Sequence, residues 1–175
     1  MKKIKIIGVF IIMGLSFVSH FMYEWFNNFI FSILFPVNES IWEHMKLLFT
    51  PVLFFSVFEY TLYRIKGINV NNFLLSLGCS TIVGIASYLI IYLPIDYFFG
   101  HSMVVSIILL FIDYCFMSFI SYIFISGDEI KYSCVFGSSL ILIILFMFYY
   151  LTYYPVHSYI FYDVKNNYYG IKKEA

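Results

Sequence analysis

From Met103 to Ser126 the chain carries a single charged side chain, Asp113, and this apolar run is one of five. The others cover about 6–23, 47–63, 73–95 and 133–154. Crossing the hydrocarbon layer takes roughly 20 predominantly apolar residues. Only a helix or a closed barrel satisfies its own backbone there, and runs of this length are helical. The pattern predicts an all-α integral membrane bundle of about five transmembrane helices, a single transmembrane domain over 1–175. Polar and turn residues separate the runs, as at Arg64-Ile65-Lys66-Gly67 and Gly127-Asp128-Glu129. Composition agrees. With 11% charged and 62% hydrophobic residues, against about 25% charged in a soluble domain, the chain cannot clothe a water-facing surface.

A formal net charge of zero gives no electrostatic case for a nucleic-acid partner. The bilayer is the expected partner, together with a second copy or another membrane protein. Cys79, Cys115 and Cys134 lie inside apolar runs and suggest small packing residues rather than a disulfide framework. No phosphate loop, nucleophile elbow or haem-attachment motif is present. Lys2, Lys3 and Lys5 before an apolar run imitate a leader peptide. The poor cleavage pattern and the spans that follow favour an uncleaved first helix.

Positive charge sets orientation. Lys2, Lys3, Lys5, Arg64, Lys66 and Lys131 fall on one side, which predicts an inner N-terminus and an outer C-terminus in a bacterial cytoplasmic membrane. Lys46, and Lys165, Lys172 and Lys173 of the tail (155–175), fall on the other. Glu59 is expected to reach toward the interface beside Arg64 and Lys66. Residues 25–37 are too few to span and predict an interfacial or re-entrant segment closed by Pro36.

This topology gathers acids and histidines at the outer face. His20 and Glu24 end the first span. Asn38, Glu39, Glu43, His44 and Lys46 precede or open the second, and Asp96, His101, His157 and Asp163 follow later spans. Charge near hydrocarbon is costly, about 2.5–3.5 kcal/mol at the centre of a span, so such residues need partners, water or a function. At about 100° per residue, Glu39, Glu43 and Lys46 would share one helix face, with His44 some 140° away. His20 and Glu24 share another. Glu39, Glu43 and His44 are candidate acid/base residues. His20, Glu24, Glu43 and His44 are candidate ligands for a transition metal, although no standard metal spacing is present. Capping and pairing offer a plainer account. Ser40-x-x-Glu43 is a capping box, Asn38 is an alternative cap, and Lys46 can pair with Glu43. His20, Glu24 and His44 stay outside that account. Asp113, alone in mid-span, is a separate candidate, as a relay or as interhelical glue.

The strings His20-Phe21-x-Tyr23-Glu24-Trp25 and Pro36-Val37-Asn38-Glu39-Ser40-x-Trp42-Glu43-His44-x-Lys46, with Asp163 and Tyr169-Gly170-Ile171 in the tail, carry a resemblance. The chain resembles a family of small multi-spanning membrane proteins of low-GC Gram-positive bacteria, catalogued as a domain of unknown function. The resemblance covers nearly the whole chain, although His157-Ser158-Tyr159 departs from the family's more proline-rich approach to the tail. It implies an integral membrane protein and supplies no activity, substrate or cofactor. Three readings stay open. One is a non-catalytic membrane protein with an outer polar cluster. Another is a membrane-embedded acid/base or metal enzyme acting on a lipid or envelope substrate. The third is a small oligomeric transporter using Asp113.

Overall fold

A computed structural model of the chain describes residues 1–171. Five helices are long and apolar enough to cross a membrane: α1 (Lys2–Trp25), α3 (Ile41–Ile65), α4 (Phe73–Phe99), α5 (Met103–Ser126) and α6 (Ser133–Tyr153). The protein is an all-α membrane bundle. Between α1 and α3 lies α2 (Phe29–Leu34), whose six residues rise only about 9 Å and cannot cross. After α6 come one 3-10 turn (Tyr159–Phe161) and a two-stranded antiparallel hairpin, β1 (Tyr162–Asp163) with β2 (Tyr168–Tyr169).

The second long helix starts at Ile41 rather than near residue 47. Ser40 caps it, its hydroxyl accepting from the Glu43 amide at 3.3 Å. The helix can absorb Glu43, His44 and Lys46 because their polar ends find partners inside the protein. A hydropathy window counts such residues as wet.

Helix α3 is central, packing against α1, α4 and α6, while α4 also packs on α5 and α6, and α1 on α5. Glycines set the closest approaches. A Cβ on Gly137 of α6 would overlap the Leu74 backbone of α4, and one on Gly78 would lie 2.8 Å from the Leu140 Cβ. Small residues at the crossing let helices pack tightly where lipid offers no hydrophobic drive. Pro51 lies inside α3 and removes the donor for the Leu47 carbonyl. The Tyr114 hydroxyl of α5 supplies a substitute at 2.7 Å, so the broken helix bond becomes an interhelical one.

Toward the end of the bundle where α1 begins, Lys5 is buried. It bonds Glu59 of α3 at 2.9 Å and Ser121 of α5 at 2.8 Å. The Tyr63 hydroxyl completes the Glu59 carboxylate at 2.8 Å. Two expectations are corrected here. Lys5, just outside the expected first span, lies buried inside α1, and Glu59 does not reach for Arg64 and Lys66. A charge 54 positions away in the chain is its partner, a pairing that local spacing does not reveal.

The distal face, where α1 ends and α3 begins, is covered by the tail. Phe161 packs at a tilt against Trp42, ring centroids 5.2 Å apart, and the indole is buried. The Asn38 amide donates to the Gly170 carbonyl at 2.8 Å. Gly170 itself has φ +64, and a Cβ there would meet the Thr152 carbonyl at 2.7 Å. Only glycine fits both demands. Lys172 and Lys173 lie outside the described residues.

Candidate metal centre

Three elements bring His20, Glu39 and His44 together at the distal face. His20 sits near the end of α1, His44 in the first turn of α3, and Glu39 in the loop just before the Ser40 cap. The His20 and His44 Nε2 atoms are 3.1 Å apart. Glu39 Oε2 lies 3.7 Å from the first and 3.5 Å from the second. Tetrahedral zinc with N and O ligands at 2.0–2.1 Å puts adjacent ligand atoms about 3.3–3.4 Å apart. The triangle therefore matches three corners of such a tetrahedron within a few tenths of an ångström.

The supporting contacts point the same way. His44 Nδ1 lies 2.8 Å from the Ser40 carbonyl, which can only accept, so the proton sits on Nδ1. In a neutral ring, Nε2 then presents a lone pair to the triangle. A ring N–H fixed by a backbone carbonyl is the usual support of a ligating histidine. His20 Nδ1 is buried and has no partner among the described residues. Glu39 is fixed through its backbone, whose amide donates to Asp163 Oδ2 at 3.1 Å. Asp163 is fully buried and accepts from the Asn166 amide and side chain, both at 2.9 Å, closing the hairpin turn. The His20 ring lying against it, foremost, then the His44 ring and Lys165 at 3.3 Å, hold the Glu39 carboxyl down at about 2, against the opposing effect of burial. It is a carboxylate throughout the physiological range.

The triangle opens on a cavity of about 430 Å³ bounded by α1, α3, α4 and α5. Its walls are mostly apolar, with Phe17, Phe21, Leu47, Ile107 and Leu110 among them. His101 lines the same cavity. Its Nδ1 lies 2.8 Å from the Tyr92 hydroxyl and 3.5 Å from Asp96 Oδ1. Asp96 is buried behind them and also accepts from Tyr92 at 3.0 Å and from Tyr159 of the tail. The bond to that carboxylate, followed by burial, pushes the Tyr159 phenol up to about 12.

The other sequence candidates divide. Glu43 and Lys46 form a separate knot. Lys46 Nζ lies 2.5 Å from Glu43 Oε2, 2.8 Å from Thr152 Oγ1 and 2.7 Å from the Ser32 carbonyl. Glu43 also accepts from the Val37 amide at 3.1 Å and from Thr152 at 2.8 Å. The capping box is half formed, because Asn38 Oδ1 at 2.8 Å takes the Ser40 amide that Glu43 would have accepted. Glu24 is exposed at the end of α1 and makes no hydrogen bond among the described residues. Glu24 and Glu43 thus lie apart from the histidine pair, and Glu39 takes the carboxylate position. Asp113 accepts from Ser87 at 2.6 Å, its second oxygen is buried without a partner among the described residues, and it does not line the cavity. His157 stacks on Tyr169 in the tail, away from the triangle.

Helix geometry explains the exchange of Glu43 for Glu39. The 100° rule places Glu39 beside Glu43 only if both are helical. Ser40 is extended, with φ −72 and ψ 154, so Glu39 lies outside the helix and turns to the His44 side. Tyr159 and Thr152 have no local signal, since each arrives from the far end of the chain.

No curated protein and no solved structure matches the chain. Over residues 1–171 it matches the model of a family described as a family of unknown function, DUF6512. The chain belongs to that family.

Proposed function

We propose that this protein is a metal-dependent membrane hydrolase whose centre is His20, Glu39 and His44, acting on a lipid-like substrate at the outer face of a bacterial cytoplasmic membrane. One observation carries the reading: two imidazole nitrogens and a carboxylate oxygen lie within 4.8 Å of one another at the mouth of a largely apolar cavity. Three protein ligands with an open fourth position characterise catalytic rather than structural zinc. Held by these residues, a zinc ion would supply a water of pKa about 7, a nucleophile at neutral pH. The distal face is the outer one by the positive-inside bias, which survives the loss of Lys5 from the count.

The residues divide the work. His20, Glu39 and His44 would hold the ion. His101, which lines the cavity and is steadied by Tyr92 and Asp96, would move the proton. Hydrolysis adds water across the scissile bond. The oxygen goes to the electrophilic carbon or phosphorus, and the bond to the leaving atom breaks. The proton passes through His101 from the water to that leaving atom.

The test uses zinc-loaded protein in neutral phospholipid vesicles doped with a bacterial polar-lipid extract. Mass spectrometry of the lipids should reveal products formed by the wild type and absent with His44→Ala or after chelation. An identical lipid profile in all three samples would overturn the reading.

A further inference from the structure

The charges at the cavity mouth bear on what the site accepts. Among the described residues that line the cavity only Glu39 and Lys165 carry full charge, and they lie 3.3 Å apart. They cancel. A divalent ion in the triangle leaves the polar end with a surplus of two positive charges, while His101 adds a hydrogen-bonding edge. Asp96 contributes little repulsion, because it is held by Tyr92 and Tyr159 and does not line the cavity. The Lys165 side chain is 72% exposed and is free to turn toward a ligand.

Below this end the cavity is apolar. On α5 it runs from Met103 to Leu110, about 10 Å along the helix, or some two thirds of one leaflet of hydrocarbon. Its side wall is built from Phe17 and Phe21 of α1 and Met103 of α5, which are themselves 49%, 44% and 70% exposed. Deeper in the bundle α1 and α5 meet at Phe10 and Phe111, 5.8 Å apart, which part this cavity from a separate groove toward Lys5 and Phe119. The opening is therefore lateral and confined to the distal half.

We infer that the ligand of this cavity is a long-chain oxyanion, a lipid phosphate or carboxylate, whose head lies between the metal triangle and Lys165 and whose chain enters sideways between α1 and α5. The inference rests on the metal-centre reading for its charge balance. A quaternary-ammonium lipid would place its cation against the metal and Lys165. A neutral alcohol would leave the surplus charge unanswered. Free phosphate would gain the charge contacts and lose the apolar burial.

The test is competition for radiolabelled palmitate retained by immobilised protein in maltoside micelles, with metal content measured on the same samples. Hexadecyl phosphate should compete at least about tenfold better than hexadecanol, hexadecyltrimethylammonium or inorganic phosphate, the value of one charge-assisted contact. Lys165→Glu, at an exposed position that leaves the fold intact, should remove most of that advantage. Leu110→Trp should weaken all long-chain competitors by filling the cavity. Equal competition by hexadecyl phosphate and the ammonium compound would overturn the inference, as would wild-type behaviour of both variants. If zinc is bound stoichiometrically and the charge preference is absent, the ligand class fails and the metal centre stands. An anion preference in protein that binds no zinc would keep the ligand class and overturn the metal centre.

Discussion

Glu43 and His44 are adjacent in the chain but belong to two polar groups built on opposite principles. The Glu43–Lys46–Thr152 knot is buried and saturated. Lys46 has oxygens around it from α2, the following loop, α3 and α6, and both Glu43 oxygens are occupied. Nothing is left over to bind or to react. The His20–Glu39–His44 triangle is about a quarter to a third exposed, opens on a cavity, and brings two ring nitrogens and a carboxylate oxygen to a common point. Acids, histidines and lysines near a membrane surface look alike in composition. Satisfaction separates them: a polar group with every bond made holds the fold, and one with ligand spacing and unmade bonds is poised for a partner.

The largest expected contrast is in stability. Lys46→Ala strands the Glu43 charge in the protein interior and should cost about 3–5 kcal/mol. His20→Ala or His44→Ala in metal-free protein should cost less, about 1 kcal/mol, because neither ring holds a buried charge in place. Unfolding of detergent-solubilised protein in denaturant checks this. Equal losses at the two groups would erase the distinction between them.

Zinc should sharpen the contrast. At a hundredfold excess over its dissociation constant, an ion that binds only the folded state adds about 2.7 kcal/mol. Thermal unfolding of the wild type should move upward with zinc, and His44→Ala should not respond. A response that survives in His44→Ala would place the ion elsewhere.

Asp163→Asn tests the tail's part in the centre. The carboxylate accepts from the Glu39 amide without touching the triangle. Loss of such support typically costs 10–100-fold in metal affinity, and we expect about tenfold, read by competition with a chelating dye. Unchanged affinity would leave Asp163 as a hairpin residue only.

The smallest effect is the pH dependence of Glu39. Its folded pKa of about 2 lies below the unfolded value of 4.5, so its contribution is present above pH 4.5 and is lost as pH falls toward 2. The stability gap between metal-free wild type and Glu39→Gln should narrow as pH falls from about 5 toward 2. With the side chain about a third exposed, the gap should not exceed about 1 kcal/mol. A gap that widens on acidification would contradict the assigned charge state.

The sequence carried the architecture well, because hydrocarbon leaves few choices: five apolar runs became five long helices with ends displaced by a few residues. It also carried what is local, namely the Ser40 cap and the Glu43–Lys46 pair. Periodicity speaks only within a helix, so it said nothing useful about Glu39, one residue before the cap. Nor could it find Thr152 or Tyr159, which reach the distal face through the packing of α6 and the return of the tail, or the bond that joins Asp163 to the Glu39 amide. The buried Lys5–Glu59 pair was invisible for the same reason. The gathering of His20 and His44 at one face followed from topology alone, while their 3.1 Å approach required the fold.

The most direct test of the metal centre is zinc-edge X-ray absorption on the purified protein, with the metal-to-protein ratio measured alongside. The account predicts one zinc per chain with only N and O neighbours at about 2.0–2.1 Å, two of them imidazole, and loss of that signal in folded Glu39→Ala protein. A substoichiometric metal, a sulfur neighbour, or an unchanged spectrum in Glu39→Ala would contradict it.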